Sequence, residues 1–340
     1  MKLLQNKKAS ASHAIREDSN IVFKNFCARA QLSNFLCNKK IAYLVAVLCT
    51  FCWGLAIPLL RKGYETMGID SSGNVGTLML YAGVRFIISA IIVYAVLCIS
   101  EKKLTFPEKN SILPIISLGL AQTTFQYIFY YIGIGHTQGT NTALITSCSS
   151  FFTVLTAPLF FKNDKLTIPK ISGCIVGFIG VLFVIGGFDF SSINIIGDGL
   201  ILLSTMCSTS GNIISKKITG GRNPMLITSF QLLSGGIILV IIGLLLDGQL
   251  VFKNAESVIY LLILASCSAI AFSLWTALLK YHDASTISVF NLLIPVFGTI
   301  LSGLILGENI FRLEIIISLI LIIAGIILVN ITFKRKSINI

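Results

Sequence analysis

The chain alternates between long apolar blocks and short polar breaks. The blocks run to about twenty residues each, the length that an α-helix needs to cross the hydrocarbon core of a bilayer. The pattern predicts ten membrane-spanning helices, and 197–215 is the most polar of them because it is rich in hydroxyls. The expected spans are 41–61, 76–99, 111–133, 139–161, 169–188, 197–215, 224–246, 258–280, 284–306 and 313–333.

Composition agrees with a membrane protein. Of the 340 residues, 55% are hydrophobic and 12% are charged, and the mean hydropathy is +0.88. A soluble domain of this size needs far more charge to cover its surface. The fold class expected is an all-α integral membrane protein, multi-pass in a bacterial inner or plasma membrane, with the lipid bilayer as a partner.

Basic residues predict the orientation, because cytoplasmic loops carry an excess of Lys and Arg. With the N-terminus in the cytoplasm, the inner segments hold 21 of the 26 Lys and Arg residues and the outer loops hold 4. Both termini are then cytoplasmic, as a basic tail at 1–40 and a short tail at 334–340. The net charge of +12 reports this orientation rather than a nucleic-acid surface, so no nucleic-acid partner is expected.

The ten spans divide into two halves of five, at 41–188 and 197–333. An odd number of spans inverts the second half relative to the first. A shift of 145 residues aligns 139–161 with 284–306 and places Gly180 on Gly325. The sequence therefore predicts two inverted five-helix repeats.

Several motifs recur in order along both halves. They include CWGLAIPLLRKG (52–63), AGVRFIISAIIV (82–93), SFQLLSGGIILV (229–240) and PVFGTILSGLILGENI (295–310). In this order and spacing the chain resembles EamA-type members of the drug/metabolite transporter superfamily over residues 41–333. It departs from their pattern at Asn163-Asp164, where a glutamate is usual.

This resemblance implies two repeats around a central cavity that opens alternately to each side. It implies a secondary transporter of a small organic metabolite, with an amino acid or a related compound as the expected cargo. Trp53 matches the first-span motif, Arg85 the arginine of the second span, and Glu308 the acidic residue after span 9, where we expect a gating role.

Arg85 lies midway along an otherwise apolar span. A charge near the bilayer centre is costly, so this side chain should face protein or water. It would either meet a substrate carboxylate from the cavity wall or hydrogen-bond to carbonyls and lock helices together. Both interpretations stay open.

Polar side chains recur at helical spacing on several other spans. Amides are the stronger candidates, because an unpaired amide in lipid costs more than a hydroxyl that bonds its own helix. Trp53 and Trp275 would add aromatic faces, and Pro295 would free a carbonyl for gating. The further candidates for the substrate cavity are Gln122, Gln126, Tyr130, Thr142, Thr146, Ser149, Ser204, Ser208, Asn212, Ser288 and Asn291.

Other function classes have less support. No HExxH, GxSG or pair of mid-span aspartates is present, so an enzyme is not expected. Nine cysteines suggest neither disulfides nor metal, and no cofactor is expected. A membrane scaffold or receptor without transport stays an alternative, as do a nucleotide-sugar or organic-phosphate transporter and a homodimer.

Overall fold

The computed structural model describes residues 35–69, 74–137, 139–184, 194–307 and 313–331. Glu308, most of the expected tail 1–40 and all of the tail 334–340 lie outside these ranges. Within them, all regular structure is helical. The helices are α1 Lys39–Met67, α2 Val75–Glu101, α3 Lys109–Ile134, α4 Gly139–Phe160, α5 Ile168–Val184, α6 Ile195–Ile218, α7 Pro224–Leu245, α8 Ala255–Tyr281, α9 Ala284–Leu306 and α10 Leu313–Asn330.

Eight helices of the described segments are long and apolar enough to cross a membrane. The two that fall short are α5, which has 17 residues, and α6, which carries Asp198, Lys216 and Lys217 at its ends and many hydroxyls between them. The hydrophobic pattern predicts ten spans because it includes these two as well. Both nevertheless pack among the longer helices, α5 against α10 and α6 against α3 and α4.

Side chains and glycine define the helix ends. Asn38 accepts a hydrogen bond from the backbone N–H of Lys40 at the start of α1, and Asn223 does the same for Met225 at the start of α7. Helix α1 ends at Gly68, which adopts a φ of 68°. This left-handed conformation is favourable for glycine, which has no Cβ.

Two helix pairs pack most closely, α2 against α7 and α5 against α10. A Cβ on Gly83 of α2 would lie 2.8 Å from the carbonyl oxygen of Gly236 on α7. A Cβ on Gly173 of α5 would lie 2.6 Å from the carbonyl oxygen of Gly325 on α10. Glycine at these crossings lets the backbones touch, which is how helices associate in the absence of a hydrophobic driving force between them.

Two helices are irregular in their middle. Residues Leu120–Phe125 of α3 form a π-helical turn, and Val289–Leu292 of α9 form a 3-10 turn just before Pro295. A proline cannot donate the backbone hydrogen bond that continues a helix, which explains the disturbance preceding Pro295. These two irregular turns place polar side chains in the interior of the bundle.

Candidate functional site

A cluster of amide and indole groups, three of them buried and one half-buried, joins the two halves of the chain. Trp275 on α8 donates its Nε1 hydrogen to Oδ1 of Asn212 on α6 over 3.0 Å. Gln122 on α3 approaches the same oxygen with its Nε2 at 3.5 Å, and the ring of Trp53 on α1 stands edge-on to Trp275 at 5.0 Å between centroids. We call these four residues the amide–indole cluster.

The π turn and a glycine bring this cluster together. Gln122 lies in the π turn of α3, and Gly211 of α6 packs against it. A Cβ on Gly211 would lie 2.7 Å from the Cβ of Gln122. Because Gly211 allows this close approach, the neighbouring Asn212 reaches Gln122 with its side chain.

The π turn also separates Gln122 and Gln126, which are four residues apart and would share one face of a regular α-helix. A helix of π type bonds each residue to the fifth one along, so residues four apart no longer align across it. Gln122 therefore contacts Asn212, whereas the half-buried Gln126 has a buried Oε1 without a hydrogen-bond partner. Gln126 takes part in helix packing through its backbone, because its carbonyl accepts a 2.8 Å hydrogen bond from Ser204.

Arg85 is buried among aromatic side chains, with a relative exposure of 2%. Its guanidinium carbon lies 4.5 Å from the ring centroid of Phe86 and 5.7 Å from that of Tyr127. Its Nε has no hydrogen-bond partner. Along the described ranges of the chain, the groups that interact with it electrostatically are four tyrosines and the thiol of Cys267, and none of them is a carboxylate.

Three more tyrosines surround this arginine. Tyr64, Tyr81 and Tyr131 lie near enough to interact with it electrostatically. All three are buried, and none of their hydroxyls has a hydrogen-bond partner. With Tyr127 and Arg85 they form what we call the arginine–tyrosine cluster, drawn from α1, α2 and α3.

Aromatic rings connect the two clusters. Phe272 on α8 lies 5.7 Å from Trp53 and 6.0 Å from Phe86 between ring centroids, and Phe86 lies 4.8 Å from Tyr127. Tyr130, another expected site residue, extends this wall by its contact with Tyr131 at 5.8 Å. The interior thus offers a cation, polar side chains and a continuous aromatic surface between them.

Several of the predicted Ser and Thr residues make hydrogen bonds to or through helix backbone rather than to this interior surface. Thr146 donates to the carbonyl of Thr142 on its own helix over 2.8 Å, and the carbonyl of Ser149 accepts from Thr153 over 2.8 Å. Ser204 bonds across helices, as described above. Ser208 is half-buried on α6. These contacts are the usual ones for Ser and Thr in membrane helices.

The predicted residues of α9 lie at its 3-10 turn. The carbonyl of Ser288 accepts a 2.7 Å hydrogen bond from Ser150 on α4. Asn291 is buried, and its Oδ1 has no hydrogen-bond partner. Pro295 is half-buried one turn later. Glu308, the expected gating acid, is outside the described residues.

Sequence reasoning missed a buried ion pair at one end of the bundle. Asp164, in the loop between α4 and α5, is fully buried, and its Oδ1 lies 2.6 Å from Nζ of Lys170. It also accepts hydrogen bonds from Ser285 at the start of α9, from the backbone N–H over 3.1 Å and from the hydroxyl. The departure at Asn163-Asp164 was the signal in the sequence that could have pointed here.

A second cation reinforces the same end. Lys216 of α6 donates to the carbonyl of Leu279 in the last turn of α8 and to that of His282, which lies between α8 and α9. Burial and the nearby charge of Asp164 raise the pKa of Asp283 above its ordinary value. These contacts tie a loop of the first half to the start of α9 in the second half. We call Asp164, Lys170 and Ser285 the end lock.

Metal binding has no site among the described residues. Nowhere in those segments do three or more His, Cys, Asp or Glu side chains gather in a way that could hold an ion. Cys49 and Cys52 are buried in α1 as free thiols.

Comparison with known proteins gives a consistent result. The model of a family described as "EamA-like transporter family" matches residues 40–186 and, a second time, residues 195–331. The uncharacterized transporter YoaV of Bacillus subtilis is 23% identical over 76% of this chain and 89% of its own length. An uncharacterized transporter of Clostridium kluyveri is 27% identical, over 74% of this chain and 83% of its own.

A solved structure, described only as "Crystal structure of protein", shares the fold. It superposes on this chain with a TM-score of 0.69 at 18% sequence identity. The match covers 84% of this chain and 96% of the other.

Proposed function

Because the chain belongs to the EamA-like transporter family, we propose that it is a secondary transporter that moves a small organic metabolite across the membrane by alternating access. The observation that carries the proposal is the amide–indole cluster. Trp53 and Gln122 come from the first half, and Asn212 and Trp275 come from the second. A polar site between two repeats is where such transporters bind their substrates. An amino acid or a related compound is the cargo we propose.

We further propose that ten spans form two inverted repeats, 41–188 and 197–333, around a central cavity. The pairing of α2 with α7 and of α5 with α10 supports this arrangement, because each pair joins helices at equivalent positions of the two halves. The double match of the family model supports it as well. In this proposal α5 and α6 span the membrane with the eight more apolar helices.

The proposed location is a bacterial inner membrane with both termini in the cytoplasm. The distribution of Lys and Arg supports this orientation. It places the end lock on the cytoplasmic side, because the loops after α4 and α8 both face that side. Breaking the contacts of Asp164 with Ser285 would then open the cytoplasmic end.

The alternatives receive less support from the same contacts. The side-chain oxygens of Gln126 and Asn291 are buried without hydrogen-bond partners. Each such atom lowers the stability of the fold, and a scaffold without a substrate would gain nothing in return. A nucleotide-sugar or organic-phosphate cargo would carry two or more negative charges. Arg85 is the only Lys or Arg in the middle of a predicted span.

Uptake into proteoliposomes tests the proposal. Purified protein would be reconstituted and assayed with radiolabelled amino acids, organic acids, amines, nucleosides and sugar phosphates. We expect saturable uptake of at least one class, lost in Asn212→Leu and retained in Ser210→Ala. Ser210 is the matched control, because it is exposed on the same helix and bonds only to Met206 of that helix. Folded, inserted protein that moves none of these compounds would contradict the proposal.

A further inference from the structure

The guanidinium of Arg85 carries a charge that no acidic side chain of the described segments balances. The ion pairs found there join Lys62 to Glu65 and Lys170 to Asp164, and neither includes Arg85. An unpaired buried charge in a membrane interior is costly, and such residues mark sites of function. Tyr127 lies within hydrogen-bond reach of the guanidinium, but the buried Nε of Arg85 has no acceptor.

The hydroxyls around it are unpaired as well. Tyr64, Tyr81 and Tyr131 have relative exposures of 9%, 0% and 5%. Their hydroxyl oxygens are buried without a partner in hydrogen-bond geometry, although those of Tyr64 and Tyr131 are neighbours, and each hydroxyl has a hydrogen to donate. They come from α1, α2 and α3 and share one electrostatic neighbourhood with Arg85. The cluster thus gathers buried O–H donors without acceptors of their own around a permanent positive charge.

We infer that the arginine–tyrosine cluster binds the carboxylate of the transported metabolite. This inference rests on the proposed function and names the substrate class. A carboxylate has two oxygens that match the forked donors of a guanidinium, and each oxygen has lone pairs for phenol donors. One cation balances one carboxylate, whereas a phosphate monoester would retain a second negative charge.

The aromatic surface beside Arg85 defines the rest of the ligand. From Arg85 toward the amide–indole cluster the rings of Phe86, Phe272 and Trp53 follow one another, with successive centroids 6.0 and 5.7 Å apart. An apolar or aromatic body would lie along these rings, and a polar group at its far end would reach Gln122. The cargo is therefore an organic acid or amino acid with an apolar body.

The two tryptophans supply a direct readout. The chain contains two, Trp53 and Trp275, and both line the proposed site. Tryptophan emission of the purified protein would be followed while amino acids and 2-oxo acids with apolar side chains are titrated in, each beside its uncharged amide. We expect at least one acid to give a saturable change, with its amide at least about tenfold weaker, because a charge-assisted hydrogen bond is lost.

Variants locate the carboxylate. Arg85→Gln should abolish acid binding, and Arg85→Lys should weaken it, because the charge stays but the fork is lost. Tyr81→Phe removes one donor and should weaken binding by about threefold to tenfold. Tyr94→Phe is the matched control, because Tyr94 lies on the same helix with a buried, unpartnered hydroxyl outside the cluster. It should bind as the wild type does.

The results separate this inference from the proposed function. Equal affinity for acid and amide, no response to any acid, or full acid binding by Arg85→Gln would overturn the inference. Uptake of amines or amides but not of acids would contradict the carboxylate site and would still support the proposed transport function. Acid binding without flux of any compound would support the carboxylate site and contradict transport. If Arg85→Gln fails to fold, the acid–amide comparison and Tyr81→Phe still decide.

Discussion

Trp275 and Asn212 form a hydrogen bond of 3.0 Å between α8 and α6, with both side chains buried. Asn212 Oδ1 accepts this hydrogen, and the amide of Gln122 approaches the same oxygen from the first half of the chain. This one oxygen thus links side chains from three helices. Because a buried acceptor without its donor is costly, this bond also fixes the separation of α6 and α8.

Trp275→Phe should remove the hydrogen bond to Asn212 while keeping an aromatic ring at this position. An aromatic ring that packs on Trp53 remains, but the N–H is lost, so we expect a loss of about 1–3 kcal/mol in stability. Thermal unfolding in detergent measures it. Trp53→Phe is the comparison, because Trp53 joins the cluster through its ring contact rather than through a hydrogen bond. A midpoint for Trp275→Phe no lower than that for Trp53→Phe would refute the role of the bond.

Asp164→Asn should open the end lock. The substitution keeps the shape but leaves the buried Lys170 ammonium without its counter-charge. Removing one partner of a buried pair typically costs about 3–5 kcal/mol. We expect faster amide hydrogen exchange at Ala284–Ser288 and a lower unfolding temperature. Asp247→Asn is the control, since Asp247 is exposed. Unchanged amide hydrogen exchange at Ala284–Ser288 in the Asp164 variant would show that the end lock does not hold the start of α9.

Gly83→Ala should separate α2 from α7. The new methyl would lie 2.8 Å from the carbonyl oxygen of Gly236, a backbone atom that cannot turn away. Overpacking of this kind costs about 1–3 kcal/mol. Gly199→Ala provides the matched control, because nothing lies within 4 Å of its Cβ position. Equal unfolding temperatures for the two variants would show that the backbones do not touch at Gly83.

Gly63→Ala should act on the arginine–tyrosine cluster from α1. The methyl would lie 2.8 Å from the hydroxyl oxygen of Tyr81 and would displace it. We expect acid affinity to fall by about threefold, comparable to the loss of one hydrogen bond, in the tryptophan titration. Gly135→Ala meets only an ordinary contact at 3.5 Å. It should leave the affinity unchanged, and an equal fall in both variants would contradict the displacement.

The hydrophobic pattern predicted the helices well, because a bilayer requires about twenty apolar residues for each crossing. Spans 76–99 and 284–306 correspond closely to Val75–Glu101 and Ala284–Leu306. The π turn of α3 was not predicted, since it depends on the packing of Gly211 against Gln122 rather than on any local pattern.

The candidate site was only partly predictable. Arg85 stands out in sequence because a charge in an apolar span is rare, and the structure buries it. Tyr64 and Tyr81 did not stand out, because Tyr64 is 17 residues from Tyr81 and 21 from Arg85 with no local pattern to link them, and only the tertiary structure sets the two rings 5.3 Å apart beside the arginine. Asp164 was overlooked as a loop residue, since its partner Ser285 is 121 residues away.

The packing of α2 against α7 has a consequence for the synthesis of the chain. Helix α2 carries Arg85. Its partner helix α7 begins much later in the chain, at Pro224. A nascent chain therefore delivers the arginine to the bilayer long before the ribosome has made α7, the helix that packs most closely on α2. Until then α2 depends on its first neighbours and on its long apolar flanks to stay inserted. Membrane-protein quality control would therefore first encounter α2, with its buried arginine, at a stage when α7 has not yet been inserted.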